Sequence, residues 1–254
     1  MYDIDHQSTQ GLTSALTTLL AQRDVRAEVE WHDDLLPHWR DDNLLLSQTC
    51  GYPLVALLPD VQLVGTFHSV APGCKDLRYR SWLVARKVDE NLTLSDFYDR
   101  RAVCNSSDSH SGYNALRFMV APLAQQGRFF RETLFSGSHR HSLAALRTEQ
   151  ADIAAIDCIT WALLRRYSPE ELTGLEIIGE TPLCAALPLI TSRKTDALLM
   201  EKLRSVLFEL TMDKAYRDLL DANLIGGFAV PQRSYFDEVK TWENRAAAWG
   251  VTAL

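Results

Sequence analysis

Between Ala102 and Arg166, short apolar runs alternate with segments whose apolar residues recur at helical spacing, and this alternation constrains the fold more than any other feature of the chain. The run at Ala102 precedes Leu116, Phe118, Met119 and Leu123; Glu132–Phe135 precedes Leu143, Ala144 and Leu146; the run at Ile153 precedes a helix from Thr160 to Arg166. Strands alternating with helices of this length predict an α/β fold with a doubly wound, mainly parallel sheet. Pro122 is expected to end or kink the first of these helices.

In such a sheet the loops at the carboxyl ends of the strands line the ligand crevice. Two of them have similar chemistry. Ser109-His110-Ser111-Gly112 leads into the first helix, and Ser136-Gly137-Ser138-His139 into the second. A small-polar turn opening a helix presents free backbone N–H groups, hydroxyls and the positive end of the helix dipole, which together suit an oxyanion. Gly112 is expected to let a ligand approach the backbone. Ser, Asp and Asn are also the preferred caps of any helix, so each turn alone is equally an N-cap without a ligand. Asp157, at the end of the Ile153 strand, reads as an N-cap of the helix that begins next.

The rest of the chain supplies further elements. Leu12, Leu16, Leu19 and Leu20 mark a helix from near Gly11. Val25–Trp31 alternates like a strand, Leu44–Leu46 reads as a short buried strand, and Val61–Phe67 as another. Tyr79–Arg86 is long enough to cross from one lobe to a second, and Pro182–Ile190 to return. Two crossings make a hinge. The expected lobes are residues 1–82 with 189–254, and residues 83–188, the second carrying the anion-binding turns. After the return, Ala197, Leu198, Met200, Leu203, Val206, Leu207 and Leu210 predict a long amphipathic helix, with further helices around Leu219 and Trp242.

The formal charge of −7 argues against a nucleic-acid binder, which shows a basic stripe, so an anion must be held by local donors. No apolar stretch is long enough to span a membrane. The five cysteines form no CxxC pair and no zinc-type spacing, and no carboxylate cluster accompanies His110, His139 and His141, so neither metal nor cofactor is expected. Cys50 and Cys74 lie in turn-rich sequence and form either a disulfide or two free thiols; Cys104, Cys158 and Cys184 read as core residues. A hydrolase using Ser109 or Ser111 with His139 and Asp157 is a rival reading, but the Gly-x-Ser-x-Gly elbow is absent.

Ser109–Gly112, Ser136–His139 and Ala151–Asp157, in that order and spacing, resemble the second lobe of the phosphate/phosphonate-type substrate-binding proteins of ABC transporters, within the type 2 periplasmic binding protein superfamily. Gln48–Pro53 and Tyr79–Ser81 are similar to that family's first lobe and crossover. The resemblance runs from about Tyr2 to about Ser192. It implies a two-lobed fold, a small oxyanion held between the lobes by Ser109, Ser111, Gly112, His110 and His139, and coverage of that anion by Tyr52 and Tyr79. It also implies a ligand-facing aromatic at Tyr2 and, at Asp157, an acidic residue for a ligand amine. The second acidic residue that the resemblance leads one to expect on the return crossover is not evident around Thr181–Leu183.

The partners so implied are a small oxyanion and an ABC-transporter permease, with no nucleic acid, no membrane insertion and a monomeric chain. Met1–His6 has neither a basic start nor an apolar core. The expected location is periplasmic if a leader preceded this sequence and cytoplasmic if none did, in which case an orphan ligand sensor is the alternative.

Overall fold

The computed structural model describes residues 2–32 and 34–254. In chain order the elements are α1 (His6–Ala21), α2 (Leu35–Trp39), β1 (Ser47–Gln48), α3 (Gly51–Ala56), β2 (Gln62–Ser69), β3 (Arg78–Tyr79), β4 (Ser81–Arg86) and β5 (Arg101–Cys104). A π-helical turn, His110–Asn114, opens α4 (Ala115–Val120), followed by β6 (Glu132–Phe135), α5 (His139–Arg147), β7 (Ile153–Asp157), α6 (Cys158–Tyr167) and β8 (Leu175–Glu180). The chain ends with β9 (Cys184–Ala185), β10 (Pro188–Thr191), α7 (Ala197–Met212), α8 (Arg217–Ala222), β11 (Ile225–Ala229) and α9 (Glu238–Ala248).

The strands form a four-stranded sheet, β1-β10-β2-β11, a five-stranded sheet, β6-β5-β7-β4-β8, and the ribbon β3-β9. The mainly parallel arrangement expected from sequence holds only for β5, β6 and β7. Every ladder described in the first sheet is antiparallel, and β4 runs antiparallel to both β7 and β8. The sheets are mixed because the strands that enter and leave each one run against the strands they join, whereas only strands linked by a crossover helix run parallel.

The apolar stripe of α1, Leu12, Leu16, Leu19 and Leu20, packs with Leu203, Val206, Leu207 and Leu210 of α7 over Val64 and Phe67 of β2. Full burial of a leucine is worth roughly 1.5–3 kcal/mol, so these two helices are fixed to the first sheet by burial far more than by helix propensity. The second sheet is covered on one face by Leu116, Val120, Phe129 and Phe130 and on the other by Leu143, Leu146 and Leu164. The helix that begins with α4 gives way to a tighter turn at Ala121–Leu123, where Pro122 interrupts it.

Of the other expected strands, one is absent and one is displaced. Val25–Trp31 has no regular structure, and Val29 and Trp31 stay about half exposed. Alternation tells which residues face the same way, but a strand also needs a neighbour to bond. The strand expected at Leu44–Leu46 begins only at Ser47.

A third cluster lies between the sheets and joins Ala71, Tyr79, Ala115, Cys158, Cys184, Leu224 and Trp242. α9 is central to it. Trp242 stacks on Phe118 with ring centroids 4.7 Å apart, and Glu238 pairs with Arg78 at 2.6 Å, holding the β3-β9 ribbon.

Candidate functional site

The carboxyl ends of β5, β6 and β7 carry the turns read from sequence. Parallel register sets Cys104 opposite Phe135, and Gly137 N–H donates to Asn105 O at 2.9 Å, so the first two turns leave the sheet side by side. Ser81, at the start of β4, is in register with Asp157 and donates from Oγ to Ser111 O at 2.9 Å.

Four of the expected residues meet as two hydrogen-bonded pairs, Ser111 with His139 and Tyr2 with Asp157, with His139 and Asp157 in close contact. Ser111 Oγ lies 3.0 Å from His139 Nε2, that nitrogen lies 3.3 Å from Asp157 Oδ2, and Tyr2 Oη donates to Asp157 Oδ1 at 3.0 Å. Asp157 also caps α6, accepting from Ile159 N at 3.0 Å and Thr160 N at 2.8 Å. The cap reading from sequence therefore holds, and the same carboxylate also stands next to His139 and Tyr2. Burial pushes the His139 pKa down, against the nearby Asp157 charge, and burial followed by that same charge pushes the Tyr2 pKa well up. Both side chains are therefore neutral near pH 7.

His139 Nδ1 is buried and, among the described residues, has no hydrogen-bond partner. Leaving an acceptor unpaired costs less than burying an unpaired N–H, so the proton belongs on Nε2, facing Ser111 and Asp157. This geometry does not suit a hydrolase. In a catalytic triad the nucleophile and the acid address opposite ring nitrogens, whereas Ser111 and Asp157 both address Nε2.

Tyr79 stands beside this group as a buried ring, 2% exposed, whose hydroxyl has no partner among the described residues. Burial drives its pKa well up, so it is a neutral donor. A small cavity of about 40 Å³ adjoins this group at Tyr2 and is lined also by Gln48, Ser69 and Asn223. It is large enough for only a few water-sized molecules.

The remaining expected residues are placed differently. Ser109 caps its own turn, its Oγ accepting from Gly112 N at 3.0 Å. His110 is a core residue: Asn114 Nδ2 donates to Nδ1 at 3.1 Å, Nε2 lies 2.7 Å from Cys184 Sγ, and burial depresses its pKa to about 3. Tyr52 Oη donates to Glu243 of α9 at 2.8 Å, and burial with that bond pushes its pKa up to about 12. Tyr52 thus faces α9 and makes no hydrogen bond to Ser111, His139 or Asp157. At Gly112 the Asn105 amide oxygen occupies the space of a side chain, so glycine is required there by packing.

Sequence reasoning missed the part played by Cys50, which precedes α3 as its N-cap. His110 N–H donates to Cys50 Sγ at 3.2 Å. Burial pushes this thiol's pKa up, and the backbone N–H groups of His110, Ser111, Tyr52 and Gly51 pull it back. Two helix starts converge on one sulfur, so donors expected to face an oxyanion are shared with a thiol. The Thr49-Cys50-Gly51 turn was the available signal. Cys50 and Cys74 are not brought together, and Cys74 Sγ lies 3.5 Å from Cys158 Sγ instead. Elsewhere, Glu30, His32 and His38 gather ligand-type atoms within 4.8 Å of one another near α2.

Comparison with known proteins places this geometry. Residues 43–236 match the family model described as the periplasmic substrate-binding protein of ABC phosphonate transporters. Among solved structures, a Pseudomonas aeruginosa binding-protein component of an ABC phosphonate transporter superposes with a TM-score of 0.79 at 19% identity, covering 98% of this chain and 85% of its own. A Prochlorococcus marinus protein in complex with methylphosphonate gives 0.78 at 17% identity, covering 96% and 94%. A Xanthomonas citri protein bound to ATP gives 0.70 at 15% identity, also covering 96% and 94%. No curated protein matches the chain. At these identities the superpositions establish a shared fold, that of the type 2 periplasmic binding proteins.

Proposed function

We propose, from the premise that this chain belongs to the family of periplasmic substrate-binding proteins of ABC phosphonate transporters, that it captures a small phosphonate-like oxyanion between its two sheets and delivers it to a membrane permease. The family's work is substrate capture rather than catalysis. The observation that carries the reading is the family match over residues 43–236, and the convergence of Ser111, His139, Asp157 and Tyr2 supports it. In this account Ser111 Oγ and Tyr79 Oη donate to the ligand, while His139 Nε2–H and Tyr2 Oη, engaged with Ser111 and Asp157, hold the site in shape. Hydrogen bonds to a charged group are worth roughly 1.5–3 kcal/mol each, and these two work against the ordering cost of a small ligand.

Asp157 gives the site a preference. A carboxylate among donors repels a fully ionised oxyanion and favours a ligand that presents a proton beside its negative oxygens, either a P–OH or an ammonium group. The two lobes are built on the two sheets and turn about the β3-β9 ribbon; the expected boundaries at 82/83 and 188/189 shift slightly, because β4 from Ser81 belongs whole to the five-stranded sheet and β10 from Pro188 to the four-stranded one. In this account the arrangement described above is the closed one, and entry of a phosphonate requires it to open. The protein acts as a monomer after export to the periplasm.

The experiment is a thermal-shift panel of methylphosphonate, phosphite, phosphate and sulfate. A ligand at a hundred times its dissociation constant adds about 2.7 kcal/mol to stability, a shift of a few degrees in Tm. No shift with any phosphorus oxyanion overturns the proposal.

A further inference from the structure

Cys74 and Cys158 lie 84 residues apart in sequence, yet their sulfurs are 3.5 Å apart. Cys74 belongs to the loop that follows β2 of the first sheet. Cys158 is the first residue of α6, directly after Asp157, with its N–H donating to Arg80 O at 3.0 Å. The loop is pressed against this helix start: a Cβ on Gly73, which has φ of 95°, would lie 2.8 Å from Cys158 Cβ and 2.7 Å from the Trp82 ring. Only glycine allows the approach, so the meeting of the two thiols is built into the backbone.

We propose that Cys74 and Cys158 are a reversible dithiol/disulfide pair, oxidised by disulfide-bearing co-reactants, and that the disulfide ties the first sheet's loop to the start of α6 and clamps the cleft beside Asp157.

The two sulfurs have different roles. Cys74 is partly exposed, whereas Cys158 is fully buried. The bond between them holds the Cys74 pKa down, while the same bond, with burial, raises that of Cys158. Because only Cys74 is open to a co-reactant, Cys74 is the attacking thiolate and Cys158 the resolving thiol. Cys74 attacks one sulfur of the co-reactant, breaking its S–S bond and releasing one thiolate. Cys158 then gives up its proton to that thiolate and attacks the Cys74 sulfur of the mixed disulfide, expelling the second thiolate. The protein loses two electrons and two protons, and the co-reactant gains them as two thiols. Forming the bond closes the sulfurs from 3.5 Å to about 2.0 Å.

The clamp's effect on ligand rests on the function proposed above, but its chemistry does not. The full chain is equilibrated with mixtures of oxidised and reduced glutathione, alkylated, digested without reduction and read by mass spectrometry. The expected product is the 74–158 linked peptide, with Cys50, Cys104 and Cys184 still alkylated as thiols after denaturation. Cys158→Ser should stop at a glutathione adduct on Cys74, and Cys74→Ser should lose both link and adduct. A Cys50–Cys74 link, or no 74–158 link at any glutathione ratio, overturns the pair. Should either variant fold poorly, the wild-type digest alone decides this point.

The clamp is read by amide hydrogen exchange of oxidised against reduced protein without ligand, which should show slower exchange at residues 70–80 and 157–163. Equal exchange overturns the clamp. With methylphosphonate bound, release from oxidised protein should be about tenfold slower, equivalent to ~1.4 kcal/mol. If exchange slows and methylphosphonate does not bind, the proposed ligand fails while the clamp stands.

Discussion

Replacing Asp157 by Asn removes one charge from the centre of the site while keeping the shape of the side chain. Oδ1 accepts from Tyr2, Ile159 and Thr160, and an amide oxygen retains those bonds. Oδ2 faces the Thr160 hydroxyl and His139 Nε2, and there the amide presents N–H groups instead. The Thr160 hydroxyl turns to accept. His139 has no such freedom, because moving its proton to Nδ1 places an N–H where no described residue accepts it. The favourable contact of the His139 ring N–H with a carboxylate is replaced by one with an amide N–H, a destabilisation of roughly 1–3 kcal/mol. Urea unfolding followed by tryptophan fluorescence measures it. Calorimetry on the same variant tests the electrostatics: a unit charge at about 4 Å and an effective dielectric of 20 contributes about 4 kcal/mol of repulsion. Removing it should narrow the gap between sulfate and methylphosphonate affinities by about tenfold or more. A stability change below about 0.5 kcal/mol, the range of an ordinary surface substitution, with an unchanged sulfate gap, would refute the role given to this carboxylate.

Three further outcomes follow from the same geometry. Cys50→Ala should cost about 1–3 kcal/mol in urea unfolding, because it deprives His110 N–H and its neighbours of their acceptor, whereas Cys50→Ser, which restores one, should recover most of the loss. Gly112→Ala should destabilise by about 1–3 kcal/mol with or without ligand, because the new methyl meets the Asn105 amide; an unaffected melting temperature would contradict that packing. His110 is held neutral, with a folded pKa of about 3 against about 6.5 unfolded, so the unfolded chain binds more protons as pH falls below 6.5 and stability drops with it. Between pH 6.5 and 5 the expected loss from this residue is about 2 kcal/mol, and His110→Gln should flatten that part of the urea-midpoint profile.

How much of this was legible in the sequence depends on how far apart the partners lie. The β5, β6 and β7 units and the turns that close them were readable because strand, turn and helix are each local, and parallel strands bring such turns to one edge. That rule brings Ser111, His139 and Asp157 to one edge, and there they meet. Tyr52 turns instead to Glu243 of α9, a partner 191 residues later that no local pattern announces. His110 carried the composition of a ligand residue, but its burial against Trp242 and Cys184 depends on the return of β9 and α9. Gly112 was expected to let a ligand approach the backbone, but the space beside it is filled by the Asn105 amide, 7 residues earlier in the same turn. The antiparallel ladders of the first sheet were hidden for the same reason. β2 takes its neighbours from β10 and β11, far along the chain, and periodicity does not state direction.

The central claim is that the Ser111–His139–Asp157–Tyr2 group holds a phosphonate-like oxyanion. Isothermal titration of the purified chain with methylphosphonate, beside Ser111→Ala, tests it most directly. The account predicts a saturable one-to-one heat for the wild type, and for the variant an affinity weaker by about tenfold or more, since one donor to a charged ligand is worth roughly 1.5–3 kcal/mol. Equal affinity in the two proteins, or no saturable heat from a well-folded wild type, would contradict it.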